Sequence, residues 1–151
     1  MPSVRKIARI LCPTDFSACS KGALEEAAGL ATWAGAEICL LHVLQDPGTV
    51  LPLGGYAGPL ADILGELRER SSRDLEALAA PLRQQGLRVA TTMMQGVPYK
   101  AILDRAEEWK ADMVVMGTHG RTGVERMLSG SVAERVVRLA KCSVLVTGRE
   151  A

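Results

Sequence analysis

The sequence predicts an α/β protein built on an open, twisted, parallel sheet with helices on both faces. Three observations carry that prediction. Short apolar runs alternate with segments of helical spacing along the 151 residues. Residues 38–44 (I-C-L-L-H-V-L) are almost continuously apolar, as a strand covered on both faces must be. Between Val114 and Val132 an apolar run passes through spaced glycines into a helix start. Alternation of this kind forces parallel pairing through right-handed crossovers, so the strands form one open sheet.

Residues 7–12 (I-A-R-I-L-C) form the first strand, stopped by Pro13, and the segment 14–20 offers several N-cap residues for the first helix. In that helix Leu24, Ala27, Ala28, Ala31 and Ala34 recur at three- and four-residue steps, a narrow small-residue face suited to close packing on a sheet, and Gly35 ends it. Strand two is residues 38–44. Residues 46–59 hold three prolines and four glycines, which predicts a mobile loop without regular structure. Residues 60–82 follow helical spacing through Leu60, Ile63, Leu64, Leu67, Leu75, Leu78 and Leu82, giving the longest helix.

Gly86 breaks it, and residues 87–94, mixed and β-branched, suit a strand nearer the sheet edge. Pro98 opens a helix over 99–110, residues 112–116 form a short buried strand, 132–140 a last helix, and 143–147 a last strand. The order is βαβαβαβαβ, a single domain over residues 1–151.

Composition narrows the function. Eighteen basic against seventeen acidic residues give a net charge of +1, which provides no field for gripping a nucleic acid or an anionic membrane. Aromatics make up only 3% and are scattered, which argues against a base-stacking surface. No apolar run approaches the roughly 20 residues of a membrane span, and no export signal follows Met1. The four cysteines lack C-x-x-C spacing and read as structural thiols, with Cys19 set apart by its place at a helix start. The expectation is a cytoplasmic protein.

In open parallel sheets ligands bind outside the carboxyl ends of the strands, where strand order reverses. Asp15 follows strand one, Val43 and Leu44 end strand two, and Gly117 ends strand four, so all meet at one edge if strands one and four are neighbours. Gly117, Gly120 and Gly130, followed by Ser131, leave the backbone bare beside a basic loop, and main-chain N–H groups there can approach a phosphate. The amino end of the last helix adds roughly half a positive charge beside Gly130, Ser131 and Val132. Ser131 with Glu134 three residues on is also a capping-box pattern, and the two roles are compatible.

The pattern is neither a Walker A loop nor a dinucleotide G-x-G-x-x-G. Asp15 suits a turn, a ribose hydroxyl, an adenine amine or a magnesium ion. His119 suits a phosphate or solvent, Arg121 and Arg126 suit a phosphate clamp or solvent, and His42, within an apolar strand, reads as a satisfied core or rim residue. Nothing in the pattern resembles a nucleophile–base pair or a metal triad.

The runs I-L-C-P-T-D-F-S (10–17), L-L-H-V (40–43) and M-G-T-H-G-R-T-G followed by G-S-V-A-E-R-V (116–136) resemble the universal stress protein family over nearly the whole chain. Its ATP-binding signature is Gly, two residues, Gly, nine residues, then Gly and Ser or Thr. Gly117, Gly120, Gly130 and Ser131 match it without a gap. The resemblance implies an adenine nucleotide α-hydrolase-like fold with strand order 3-2-1-4-5, an ATP cofactor with or without Mg2+, and a homodimer joined through the final strand.

Carried over by position, Pro13, Thr14, Asp15 and Val43 surround adenine and ribose with Met116 beside the base. Gly117, His119, Gly120, Gly130, Ser131 and Val132 hold the phosphates, and Arg121 stands beside them. The family often has proline where Ser143 stands, a departure that bears on the dimer and not on the pocket. The expected function is an ATP-dependent stress-response or signalling switch that acts on a protein partner, with at most slow hydrolysis. The alternatives are a true ATPase using Asp15-bound metal and His119, and a nucleotide-free adaptor.

Overall fold

The computed structural model describes residues 3–45, 57–118 and 132–148. Five strands and four helices alternate along them: β1 (Arg9–Pro13), α1 (Ala18–Ala34), β2 (Glu37–Leu44), α2 (Ala57–Gln84), β3 (Val89–Gln95), α3 (Pro98–Glu108), β4 (Met113–Gly117), α4 (Val132–Leu139) and β5 (Ser143–Thr147). The strands form one parallel sheet in the order β3-β2-β1-β4-β5. Chain order therefore reverses between β1 and β4, as the family resemblance implies.

Strand alternation sorts the core into two layers. Ile10, Cys12, Ile38, Leu40 and Val115 face one side, where Ala23, Leu24, Ala27 and Ala31 of α1 and Leu75 and Ala79 of α2 cover them. Leu11, Cys39, Leu41, Val114 and Met116 face the other, under Ile102 and Ala106 of α3 and Ala133 and Val136 of α4. At about 25 cal/mol per Å2 of apolar surface buried, a central strand such as β2, buried at six of its eight residues, is among the largest stabilising elements.

Local chemistry sets the helix ends. Ser17 caps α1 by accepting the Ser20 N–H, and Gly35 closes it in the left-handed region at φ 67°. Pro98 occupies the first turn of α3, where its missing N–H costs nothing. The same helix ends in two carboxyl-terminal turn bonds, Ala111 N–H to Ala106 O and Lys110 N–H to Glu107 O. That motif places Lys110 at φ 56°, a conformation usually left to glycine.

Most element boundaries shift by one to three residues from expectation, and two of the shifts have a physical reason in proline. The loop predicted over 46–59 yields its last three residues to α2, which begins at Ala57 and runs 28 residues. Gly and Pro were read there as breakers, but the first four N–H groups of a helix have no intrahelical acceptor, so Pro59 loses nothing in the first turn. Residues 46–56 lie outside the described set. β1 starts two residues later than predicted and takes in Pro13, whose missing N–H is tolerated at the end of a strand.

Candidate functional site

Parallel strands place every carboxyl end at one edge, and the predicted site residues on described elements fall there. Pro13 ends β1, Val43 lies one residue before the end of β2, Met116 and Gly117 end β4, and Val132 opens α4. His119, Gly120, Arg121, Gly130 and Ser131 lie outside the described residues, as does Arg126. The two ends of that connection are described. Gly117 is the last residue of β4 and Val132 the first of α4, so the interval from the first glycine of the signature to its Ser131 is the β4–α4 connection.

At the switch point the sheet opens. β1 pairs with β4 only at Ile10↔Met113 and Leu11↔Val114, whereas it pairs with β2 from Arg9↔Glu37 through Pro13↔Leu41. Beyond Leu11 the ladder between β1 and β4 stops, so the notch in the hydrogen-bond ladder lies between the Pro13 end of one strand and the Gly117 end of the other. Crevices of this kind are where open α/β sheets hold their ligands.

One wall of the notch is the β1–α1 turn, and it is held at almost every polar group. The Thr14 N–H donates to Leu41 O at 2.8 Å, and the Thr14 carbonyl accepts from His42 Nδ1 at 2.8 Å. Phe16 N–H donates to Thr14 Oγ1 at 3.1 Å, and Ser17 N–H to Asp15 Oδ1 at 3.0 Å. Ser20 Oγ gives its single proton to Ser17 O at 3.0 Å, so in the 3.0 Å contact between Thr14 Oγ1 and Ser20 Oγ the threonine is the donor. Thr14 is 5% exposed, and this satisfaction is what allows a hydroxyl there.

Asp15 is half-buried beside it, its carboxylate used in part to shape the turn. Its expected turn role and its place at the crevice therefore coexist. Phe16 takes φ 66°, an uncommon conformation for a non-glycine residue, and its ring lies 4.5 Å from that of His42. His42 is the satisfied rim residue the sequence predicts, 9% exposed.

Gly117 has a role the sequence did not reveal. A Cβ there would meet Cys19 Sγ at 2.7 Å and the Cys19 backbone C and O at 3.1 Å. The bare α-carbon therefore lets the first turn of α1 press against the end of β4, a packing role in addition to the expected approach of main-chain N–H groups to a phosphate. Cys19 itself is 4% exposed, its thiol donating to Thr147 O at 3.7 Å. Its burial fits the structural reading of the thiols, despite its place at a helix start. The signal for both was the small-residue face of α1, which continues from Ala23 and Ala27 to the helix start.

The remaining thiols fit the structural reading. Cys12 and Cys39 are fully buried, with burial and then the neighbouring Cys39 pushing the Cys12 thiol up to about 12. Cys142 is half-buried and burial raises it as well. A cavity of about 340 Å3 lies at the opposite edge of the sheet, between Ala106, Asp112, Lys141 and Cys142. Its charged groups serve the fold: Lys141 pairs with Glu107 at 2.9 Å, and Asp112 Oδ2 accepts the Ala8 and Arg9 N–H groups.

A five-stranded parallel sheet with helices on both faces, notched at its β1–β4 switch point, defines the adenine nucleotide α-hydrolase-like class of α/β folds. The chain belongs to the universal stress protein family, whose model matches residues 6–148. It is 38% identical to universal stress protein MJ0531 of Methanocaldococcus jannaschii over 91% of this chain and 80% of that one. The solved structure of MJ0577 of the same organism, 29% identical, superposes with a TM-score of 0.84 over 97% of this chain and 99% of that one. A universal stress protein solved in complex with cAMP, 24% identical, shares the fold at a TM-score of 0.67 over 95% of this chain and 98% of that one. Among the described residues no helix is long and apolar enough to cross a membrane.

Proposed function

We propose that the protein binds an adenine nucleotide, with ATP as the leading ligand, across the β1–β4 notch, and works as a nucleotide-dependent stress-response switch. The observation that carries the reading is the coincidence of two features at one sheet edge. One is the immobilised Thr14-Asp15 turn at the end of β1. The other is the signature interval, which opens on the last residue of β4 and closes on the first turn of α4. The first offers a carboxylate for ribose or adenine, and the second offers main-chain N–H groups and a helix amino end for phosphates.

In this reading Pro13, Thr14, Asp15, Val43 and Met116 surround the nucleoside. Gly117, His119, Gly120, Arg121, Gly130, Ser131 and Val132 lie along the phosphates, with any Mg2+ carried on the phosphate oxygens. That a relative of the same fold was solved with cAMP supports an adenine-sized ligand for this architecture. Hydrolysis is at most slow, because phosphoryl transfer needs a placed base and an in-line water, and the signature supplies phosphate donors instead.

The same reading has the protein in the cytoplasm as a homodimer, paired through β5. β5 is an outer strand with β4 as its only neighbour in the sheet, and Val137 and Leu139 of the preceding helix are more than half exposed. An open strand edge with adjoining apolar side chains favours a second copy.

Mass spectrometry of nucleotides released from the undenatured protein tests the ligand, and phosphate release at saturating ATP and Mg2+ tests the chemistry. Co-purified adenine nucleotide with turnover far below about 1 per second, the low end of typical enzymes, supports the reading. Turnover at or above that rate makes the protein an ATPase instead.

A further inference from the structure

His42 stands next to Val43 on β2, yet what it touches belongs to the neighbouring turn. Its Nδ1 lies 2.8 Å from the Thr14 carbonyl, and a carbonyl only accepts, so Nδ1 carries a proton and donates it. Among the described residues, Thr14 has two hydrogen-bond partners outside the β1–α1 segment, the Leu41 carbonyl and His42. Both come from adjacent residues of β2. The Leu41 bond holds the nitrogen side of Thr14, and the His42 bond holds the carbonyl, which is part of the peptide leading into Asp15.

The Phe16 ring, 4.5 Å away and tilted by 36°, packs against the imidazole. Asp15 thus sits between a residue whose carbonyl His42 holds and a residue whose ring His42 supports. Phe16 keeps its left-handed φ of 66° in that arrangement, which costs free energy unless the surroundings enforce it.

We propose that His42 is a positioning residue for nucleoside recognition: by holding the Thr14 carbonyl and backing the Phe16 ring, it sets the Asp15 carboxylate for adenosine without itself needing to touch the ligand. This rests on the nucleotide reading above. Because that reading assigns the nucleoside to the β1–α1 turn and the phosphates to the glycine signature, loss of the His42 bond weakens the nucleoside half of the ligand and spares the phosphate half.

The test is binding of adenosine, ATP and inorganic tripolyphosphate to wild type, His42→Leu and His42→Asn, with unfolding curves showing that all three proteins are folded. Asparagine is the informative variant, since its Nδ2, like Nδ1 of histidine, is bonded to Cγ and donates from nearly the same place. Loss of a buried bond of this kind predicts about tenfold weaker adenosine and ATP binding in His42→Leu, tripolyphosphate within about twofold of wild type, and recovery to within about threefold in His42→Asn.

The nitrogen NMR shifts of the His42 ring give an independent readout, and the Nδ1-protonated form is expected. Equal losses for tripolyphosphate and adenosine, an unaffected His42→Leu, or no recovery in His42→Asn overturns the proposal. If wild type binds neither adenosine nor ATP, the nucleotide reading fails first. If wild type binds and His42→Leu binds equally, only the role of His42 fails.

Discussion

A side-chain carbon placed on Gly117 would lie 2.7 Å from the Sγ of Cys19, so the last residue of β4 and the second residue of α1 meet in a space that admits no methyl group. The contact links the strand from which the glycine signature starts to the helix that begins beside Asp15. Gly117→Ala is expected to destabilise the protein by about 1–3 kcal/mol through overpacking, read by denaturant unfolding. Combining it with Cys19→Ala should recover part of the loss and leave part, because the Cys19 backbone also stands at 3.1 Å. Strict additivity of the two substitutions would show that the contact is not the cause.

Thr14→Val removes a buried hydroxyl that both accepts and donates. Phe16 N–H then loses its acceptor, and Ser20 Oγ loses one of its two donors, keeping Ser17 Oγ at 3.3 Å. The expected loss is about 1–3 kcal/mol, the penalty for orphaned buried polar groups. Ser17→Ala, which removes the N-cap of α1, should cost about 1 kcal/mol. Thermal unfolding of both variants checks the order, and a Thr14→Val protein as stable as wild type contradicts the account of the turn.

Much of this was legible in the residues. The near-continuous apolar run of β2 required cover on both faces, and the two-layer core provides it. The neighbouring of β1 and β4, on which a common site edge depends, came from the family resemblance and is seen in their pairing. The start of α2 was hidden because Gly58 and Pro59 break helices only in their interior. The packing role of Gly117 was hidden because a bare backbone looks the same whether a ligand or a packed helix fills the space. The His42 to Thr14 bond joins residues 28 apart, and no local pattern announces it.

Glu76 accepts from Arg83 Nη1 and Thr91 Oγ1, each at 2.7 Å, and these bonds, the arginine first, hold its carboxyl below the ordinary value of 4.5. A carboxyl lowered by folding contributes stability that is fully present above its unfolded value and is lost as pH falls through the folded one. The group is exposed, so the effect is small, about 0.2–1 kcal/mol. Urea unfolding of Glu76→Gln should show that deficit at pH 7 and lose it near pH 3. An equal deficit at both values would point to packing.

Thiol reactivity should follow burial. Cys142, the half-buried thiol, is expected to be alkylated first in the native protein, at a rate still rising above pH 9 because burial raises its pKa. Cys12, pushed up to about 12, and the buried Cys19 and Cys39 should react only on unfolding. Peptide mapping after timed alkylation decides it, and native modification of Cys19 at the Cys142 rate would contradict the packing described at Gly117.

The nucleotide reading is tested most directly by calorimetric titration of ATP into the wild-type protein and into Gly130→Val. Three or four charge-assisted bonds from the signature, at about 1.5–3 kcal/mol each before the entropy of association, predict micromolar binding by wild type. The added bulk of valine predicts at least about tenfold weaker binding, the loss of one such bond. A wild-type protein that gives no binding heat with ATP, AMP or cyclic AMP contradicts the account.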